Sequence, residues 1–160
     1  MIISRWIGID PGLYGAIAYY TPVTGGLEVF DTPIFHVTVN GKRRRRLDKN
    51  ALNKLLSSGT AMSAALEAVH SMPKQGVSSS FAFGEVFGAT EQCLVCKDIP
   101  VLLVQPRKWK GFFGLSSDKE ASRLMAIQKF PAHKLLFARK KDDGRAESAL
   151  LALYGFLHVA

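Results

Sequence analysis

The chain has 160 residues and a formal net charge of +8, from 21 lysines and arginines against 13 acids. That length builds one domain, residues 1–160, with a real core, and is too short for two of comfortable size. The charge surplus draws a compact domain towards polyanions, chiefly nucleic acid, without separating an enzyme from a binding module. No apolar run has the length of a membrane span, so no membrane partner is expected, and the N-terminus reads as a strand rather than a signal peptide. Cys93 and Cys96 offer no disulfide framework, so a reducing compartment, the cytoplasm, is expected.

In chain order, Ile2 to Ile9 is an apolar run too short for a globular helix and reads as a buried strand ending on Asp10. Pro11 and Gly12 turn the chain, and Gly15 to Tyr20 returns as the second arm of a hairpin. Gly26 to Phe30 and Ile34 to Val39 are further strands, the latter rich in β-branched residues. Asn40 and Gly41 are a hairpin-type turn signal, followed directly by the basic run Lys42 to Arg46. Leu47 to Leu56 has the pattern of an amphipathic helix with Asp48 as its N-cap, stopped by Ser57, Ser58 and Gly59. Ala61 to Leu66 reads as a buried strand ending on Glu67, although its alanines also suit a helix.

Ser71 to Gly76 is a loop. Ser78 to Cys96 carries apolar residues at helical spacing, with Ser78 or Ser79 as cap, and Pro100 to Val104 is another buried strand. Pro106 suits the first turn of a helix through Lys108, Trp109 and Lys110. Ser116 or Ser117 is expected to cap a helix from Asp118 to Phe130, which Pro131 closes. A last helix runs from about Asp142 to Leu157, with acids at its favourable end. Hairpin strands followed by alternating helices and strands predict a mixed α/β sheet with helices packed on it.

Four acids fall where an ordinary fold has little use for them. Asp10 and Glu67 each end a strand, and Asp143 and Glu147, four residues apart, share one helix face. Ala146, Ala149, Leu150 and Leu153 place that face near the sheet, so the acids can converge. Clustered carboxylates repel one another unless protonated or bridged by metal. Hard oxygen donors suit Mg²⁺ or Mn²⁺ rather than zinc, and two such ions stabilise the attacking and leaving oxygens of a phosphoryl displacement. The competing reading for each acid is a helix cap or a surface charge, and Asp142 competes with Asp143 for its role.

On these residues a resemblance rests. Ile7 to Gly12 (IGIDPG) and Ala65 to Glu67 (ALE) resemble the first two acidic motifs of the RuvC-type Holliday junction resolvases, and Asp143 to Ala149 (DGRAESA) resembles their C-terminal helix motif. The resemblance implies a ribonuclease H-like α/β fold, a mixed five-stranded sheet flanked by helices. It implies that Asp10 and Glu67 are metal-binding catalytic carboxylates, with Glu147 in the place of the last. Gly144 stands where the bacterial pattern carries an acid or histidine, which leaves Asp143 in a supporting role. Such variation looks more like a viral or otherwise divergent member.

The resemblance also implies DNA contacts from the segment of Arg107, Lys108, Lys110 and Lys119, with Lys110 and Lys119 favoured and the interleaved Trp109, Phe112 and Phe113 assigned to the core. Arg43, Arg44, Arg45 and Arg46 suit phosphates at the rim of a site, the rival reading being a solvated charge run. Lys140, Lys141 and Arg145 flank the last acidic motif, where they either hold phosphates or pair with Asp142 or Asp143. His70 resembles in position an aromatic residue used near the strand-exchange point; an ordinary loop histidine is the alternative. A single CxxC lacks the four ligands of a structural zinc site, so Cys93 and Cys96 read as small core residues.

The implied function is a Mg²⁺-dependent endonuclease, with Mn²⁺ able to substitute, that resolves four-way DNA junctions by paired phosphodiester hydrolysis. It would act as a homodimer, for which Phe81, Phe83 and Phe87 suit a helix interface or else the core. The alternatives are a less selective nuclease on branched DNA or RNA–DNA hybrids, and a non-catalytic basic nucleic-acid-binding module. The length disfavours a two-domain sugar-kinase-like ATPase.

Overall fold

The central element is β1 (Arg5–Asp10), hydrogen-bonded on both sides. In this computed structural model residues 5–57, 62–70 and 74–159 are described. The expected strand start at Ile2, the stop at Ser58 and Gly59, the strand residue Ala61 and the loop residues 71–73 lie outside them. On one side β1 pairs antiparallel with β2 (Ala16–Thr21), which pairs antiparallel with β3 (Gly26–Asp31). On the other it runs parallel to β6 (Met62–Glu67), which runs parallel to β7 (Val101–Val104). The sheet is therefore mixed and five-stranded, in the order β3-β2-β1-β6-β7. The parallel pairing settles the alanine-rich segment before Glu67 as strand.

Alternation along β1 feeds two cores, one on each face of the sheet. Ile7 and Ile9 pack with Ile17, Tyr19 and Leu66 against α1 (Lys49–Leu56) and α2 (Val77–Val95). Trp6, Ala18 and Ala65 pack on the opposite side with α3 (Pro106–Phe112), α4 (Lys119–Lys129) and α5 (Asp143–Val159). Helix α5 is buried along most of its length because its inner residues are small. At Gly8 the approach is closest: a Cβ there would lie 1.9 Å from the Ser148 carbonyl oxygen and 2.3 Å from the Ala152 amide nitrogen. Only glycine permits that contact.

The basic run departs from expectation. Lys42–Leu47 is a strand, β5, paired antiparallel with β4 (Ile34–Val39) in a two-stranded ribbon separate from the main sheet. Asn40 (φ 51°) and Gly41 (φ 71°) are both left-handed, the signature of the hairpin turn that twists with its strands. Buried Leu47 pairs with Ile34 at the ribbon's base, and the cations from Lys42 to Arg46 are exposed.

Helix starts agree in part. Asp48 caps α1 by accepting from the Ala51 amide at 2.9 Å, and Pro106 opens α3. The N-cap of α2 is Gly76 without a side-chain bond, in place of Ser78 or Ser79. The cap of α4 is Asp118, which accepts from the Glu120 amide at 3.0 Å; Ser116 instead accepts from the Asp118 amide. A 3₁₀ helix, Pro131–Phe137, follows α4. Among the described residues no helix is long and apolar enough to cross a membrane.

Candidate active site: carboxylates at the end of the central strand

Asp10 and Glu67 end adjacent parallel strands, and the first turns of α5 bring Asp143 and Glu147 to the same end of the sheet. Contact between α5 and the β1–β2 turn explains the glycine at position 144. A Cβ on Gly144 would lie 2.7 Å from the Tyr14 carbonyl oxygen and 3.1 Å from Asp10 Oδ2. An acid or histidine there would displace the turn, so the acid of this helix face stands one residue earlier, at Asp143.

Asp10 feels the other three acids. Asp10 is pushed well above the usual carboxylate range, first by burial and then by repulsion from Glu147, Glu67 and Asp143, with Lys110 opposing. Burial also raises Glu67; the Trp109 indole N–H, donating to Glu67 Oε2 at 2.7 Å, works against it, and Glu147 adds to the rise. Two lysines answer the negative charge. Lys110 Nζ lies 3.1 Å from Glu147 Oε1, which also accepts from the Ser122 hydroxyl at 3.2 Å. Lys119 Nζ lies 2.9 Å from Asp143 Oδ2, and that bond raises the lysine above its ordinary range.

Among the described residues no three carboxylate, imidazole or thiol side chains stand close enough to ligate one ion. Trp109 holds Glu67, Lys110 and Ser122 draw Glu147, and Lys119 draws Asp143. By donor type the cluster fits a hard divalent cation: its donors are carboxylate oxygens, and such an ion relieves the repulsion that raises Asp10.

Asp142 is set apart from this group. It is buried and accepts from the Arg139 amide at 2.8 Å and from Arg139 Nε and Nη2 at 3.0 and 2.7 Å. Burial pushes its pKa up, but the Arg139 bonds and charge outweigh that and hold it below the usual range. Asp143 is the one of the pair coupled to Asp10.

The remaining basic residues divide. Arg145 grips Asp31, at the end of β3, through Nε and Nη2 at 2.7 and 2.8 Å, and lies 3.9 Å from Asp142. Its main partner is thus neither of the acids beside it in sequence. Lys108 and Lys141 are exposed. Arg46 pairs with Glu85 at 3.4 Å, Arg45 lies 4.1 Å over the Tyr14 ring, and Arg43 and Arg44 are exposed on the ribbon. His70 is exposed in the loop after β6. Of the CxxC, Cys93 packs against the α1–α2 core, whereas Cys96 is exposed at the end of α2, which corrects its assignment to the core. Phe112, also assigned to the core, is 49% exposed, while Trp109 and Phe113 are buried.

Sequence reasoning missed Trp109 and Ser122 as partners of the acids. A tryptophan between lysines was a signal for Trp109; Ser122, inside an amphipathic helix, had none.

The sequence matches no protein-family model and no curated protein. Solved structures do match. RuvC of Thermus thermophilus in complex with a Holliday junction substrate superposes with a TM-score of 0.63 at 14% identity, covering 98% of each chain. Another structure of T. thermophilus RuvC gives 0.56 at 17%, again over 98% of each chain. The fowlpox virus Holliday junction resolvase gives 0.59 at 15%, covering 98% of this chain and 99% of its own. At these identities the likeness is one of fold: the ribonuclease H-like α/β fold seen in these resolvases.

Proposed function

We propose that this chain, which has the fold of the RuvC-type resolvases, is a metal-dependent endonuclease that cuts four-way DNA junctions by phosphodiester hydrolysis. The observation that carries the reading is the placement of Asp10, Glu67, Asp143 and Glu147 at one end of the sheet, where the other three raise Asp10. These residues would hold Mg²⁺, or Mn²⁺ in its place, and the bound cation would supply Lewis-acid stabilisation of the reacting phosphate oxygens. In the reaction water adds to phosphorus and the bond to the 3′ oxygen breaks.

The chain's own groups have definable parts in this. Trp109 fixes the orientation of Glu67. Lys110 and Lys119 are ammonium groups already at the cluster, and their place beside Glu147 and Asp143 is where an incoming phosphate would meet them. The exposed cations Arg43 and Arg44, with Lys108 and Lys141, are open to other phosphates of the junction. A homodimer, presenting two sites to opposite strands, is part of the proposal. It is supported by an uncovered apolar strip on α2 that includes Val77, Phe81 and Val95. A cytoplasmic setting is supported by the two free cysteines.

One observation favours a second reading. Lysine pairing already neutralises two of the acids, which suits a basic module that binds branched DNA without cutting it. A single experiment separates the two. Wild type, Asp10→Asn and Glu67→Gln are titrated against a labelled four-way junction in gel shifts and assayed for single-turnover cleavage with Mg²⁺, Mn²⁺ or Ca²⁺. The nuclease reading expects wild-type cutting with Mg²⁺ or Mn²⁺ and little with Ca²⁺. It expects both variants to bind near wild-type strength and to lose cleavage by about a hundredfold or more. A wild type that binds and never cuts, with any of the three ions, leaves the binding module.

A further inference from the structure

A groove of about 940 Å³ opens between the β4–β5 ribbon, the β1–β2 turn and the first turns of α2. Four arginines, Arg43 to Arg46, line it against one acid, Glu85, which already serves both Arg46 and Lys49. Among the described residues lining it, its positive charge is therefore largely unanswered. Tyr14 stands at one wall, 77% exposed, so its ring is open to a ligand. The Arg45 guanidinium lies 4.1 Å from the ring centroid and also reaches the Leu13 carbonyl. A planar cation laid on an exposed planar ring forms a platform of the shape and chemistry that stacks a nucleobase.

Location joins this platform to the acids. The Tyr14 carbonyl and the Asp10 carboxylate meet the same point of α5, at Gly144. The groove therefore begins beside the carboxylate cluster. Its volume is at the upper end of the roughly 300–1,000 Å³ range of small-molecule sites. That space holds a few nucleotides and cannot enclose a duplex. An electropositive channel with an aromatic stacking face is the arrangement by which proteins hold single strands without reading sequence.

We infer that this groove binds a short unpaired stretch of DNA next to the cut site, with a base stacked on the Tyr14–Arg45 pair and phosphates on Arg43, Arg44 and Arg46. The choice of DNA rests on the nuclease reading above; the single-strand platform rests on the groove itself. It makes Tyr14 a residue that selects branched DNA, where pairing is interrupted, over continuous duplex.

The test is fluorescence anisotropy in EDTA, which prevents cleavage, with a labelled oligothymidylate and a blunt duplex of equal length. Wild type is expected to bind the oligothymidylate. Tyr14→Ala should weaken that binding about tenfold or more while duplex affinity changes less than twofold. Tyr14→Phe, which keeps the stacking face, should stay within about twofold of wild type on both. Equal losses on single strand and duplex, or no loss on either, overturn the inference. A wild type that cuts junctions and binds no oligothymidylate also overturns it, leaving the nuclease reading standing. A protein that holds oligothymidylate through Tyr14 but neither binds nor cuts junctions supports the groove and removes that reading.

Discussion

Asp142 is a buried carboxylate and Asp10 a partly buried one, in opposite company, and their effects on stability run in opposite directions with pH. Asp142 is gripped by Arg139 and titrates below its ordinary 3.8. Its stabilisation is present above pH 3.8 and is lost as pH falls through the lower folded value. Arg139→Gln should therefore cost about 1.5–3 kcal/mol near neutral pH, with the gap to wild type closing below pH 3.8. Asp10 titrates above its ordinary 3.8 because of burial and its acidic neighbours. Its contribution is complete below pH 3.8 and is lost as pH rises through the raised folded value. Without metal, Asp10→Asn should gain on wild type as pH rises. Urea unfolding in EDTA across pH 3 to 8 measures both, and parallel curves for wild type and variants would dissociate these groups from the pH dependence.

At the scale of elements, the packing of α5 on β1 and the pairing of the ribbon each make a prediction. Gly8 faces backbone atoms of α5, which cannot move aside as a side chain end can. Gly8→Ala should cost about 3 kcal/mol or more, read from the denaturant midpoint. A shift below about 1 kcal/mol would mean that α5 sits further from the strand. Among the described residues no acid pairs with Arg43 or Arg44 on the ribbon, unlike Arg46 with Glu85. The double change Arg43→Ala, Arg44→Ala should weaken oligothymidylate binding and reduce the slope of log affinity against log salt by about 1.4, roughly 0.7 per phosphate contact on a single strand. An unchanged slope returns the run to a solvated face.

At the scale of the whole molecule, α2 carries an uncovered apolar strip. Val77, Phe81 and Val95 are 87%, 77% and 58% exposed, and Gly84 and Gly88 lie on the same exposed side. The expected phenylalanine trio is split: Phe81 is exposed, Phe87 packs on the α1–α2 core, and Phe83 is partly buried. A dimer through this strip predicts a two-fold mass in sedimentation equilibrium at micromolar concentration. Phe81→Arg should convert it to a monomer of unchanged helix content. A monomeric wild type at those concentrations would remove the paired-site geometry from the proposed reaction.

The strands that end on Asp10 and Glu67, the Asp48 cap and the Pro106 helix start were all legible in the sequence. Each depends on apolar patterning or backbone preference over a few neighbouring residues. The basic run was not legible as a strand, since five like cations carry no alternation and its pairing with Ile34–Val39 is a tertiary fact. The acids themselves were visible as strand ends and a shared helix face. Their company was not: Trp109 meets Glu67 across 42 residues and Arg145 meets Asp31 across 114. Gly144 read as a departure from a motif until the turn at Tyr14 and the carboxylate of Asp10 were found against it. Local sequence determines which residues can end a strand or open a helix, because those preferences act over a single turn or pleat. The fold alone decides which charges face one another, because that depends on how distant segments cross.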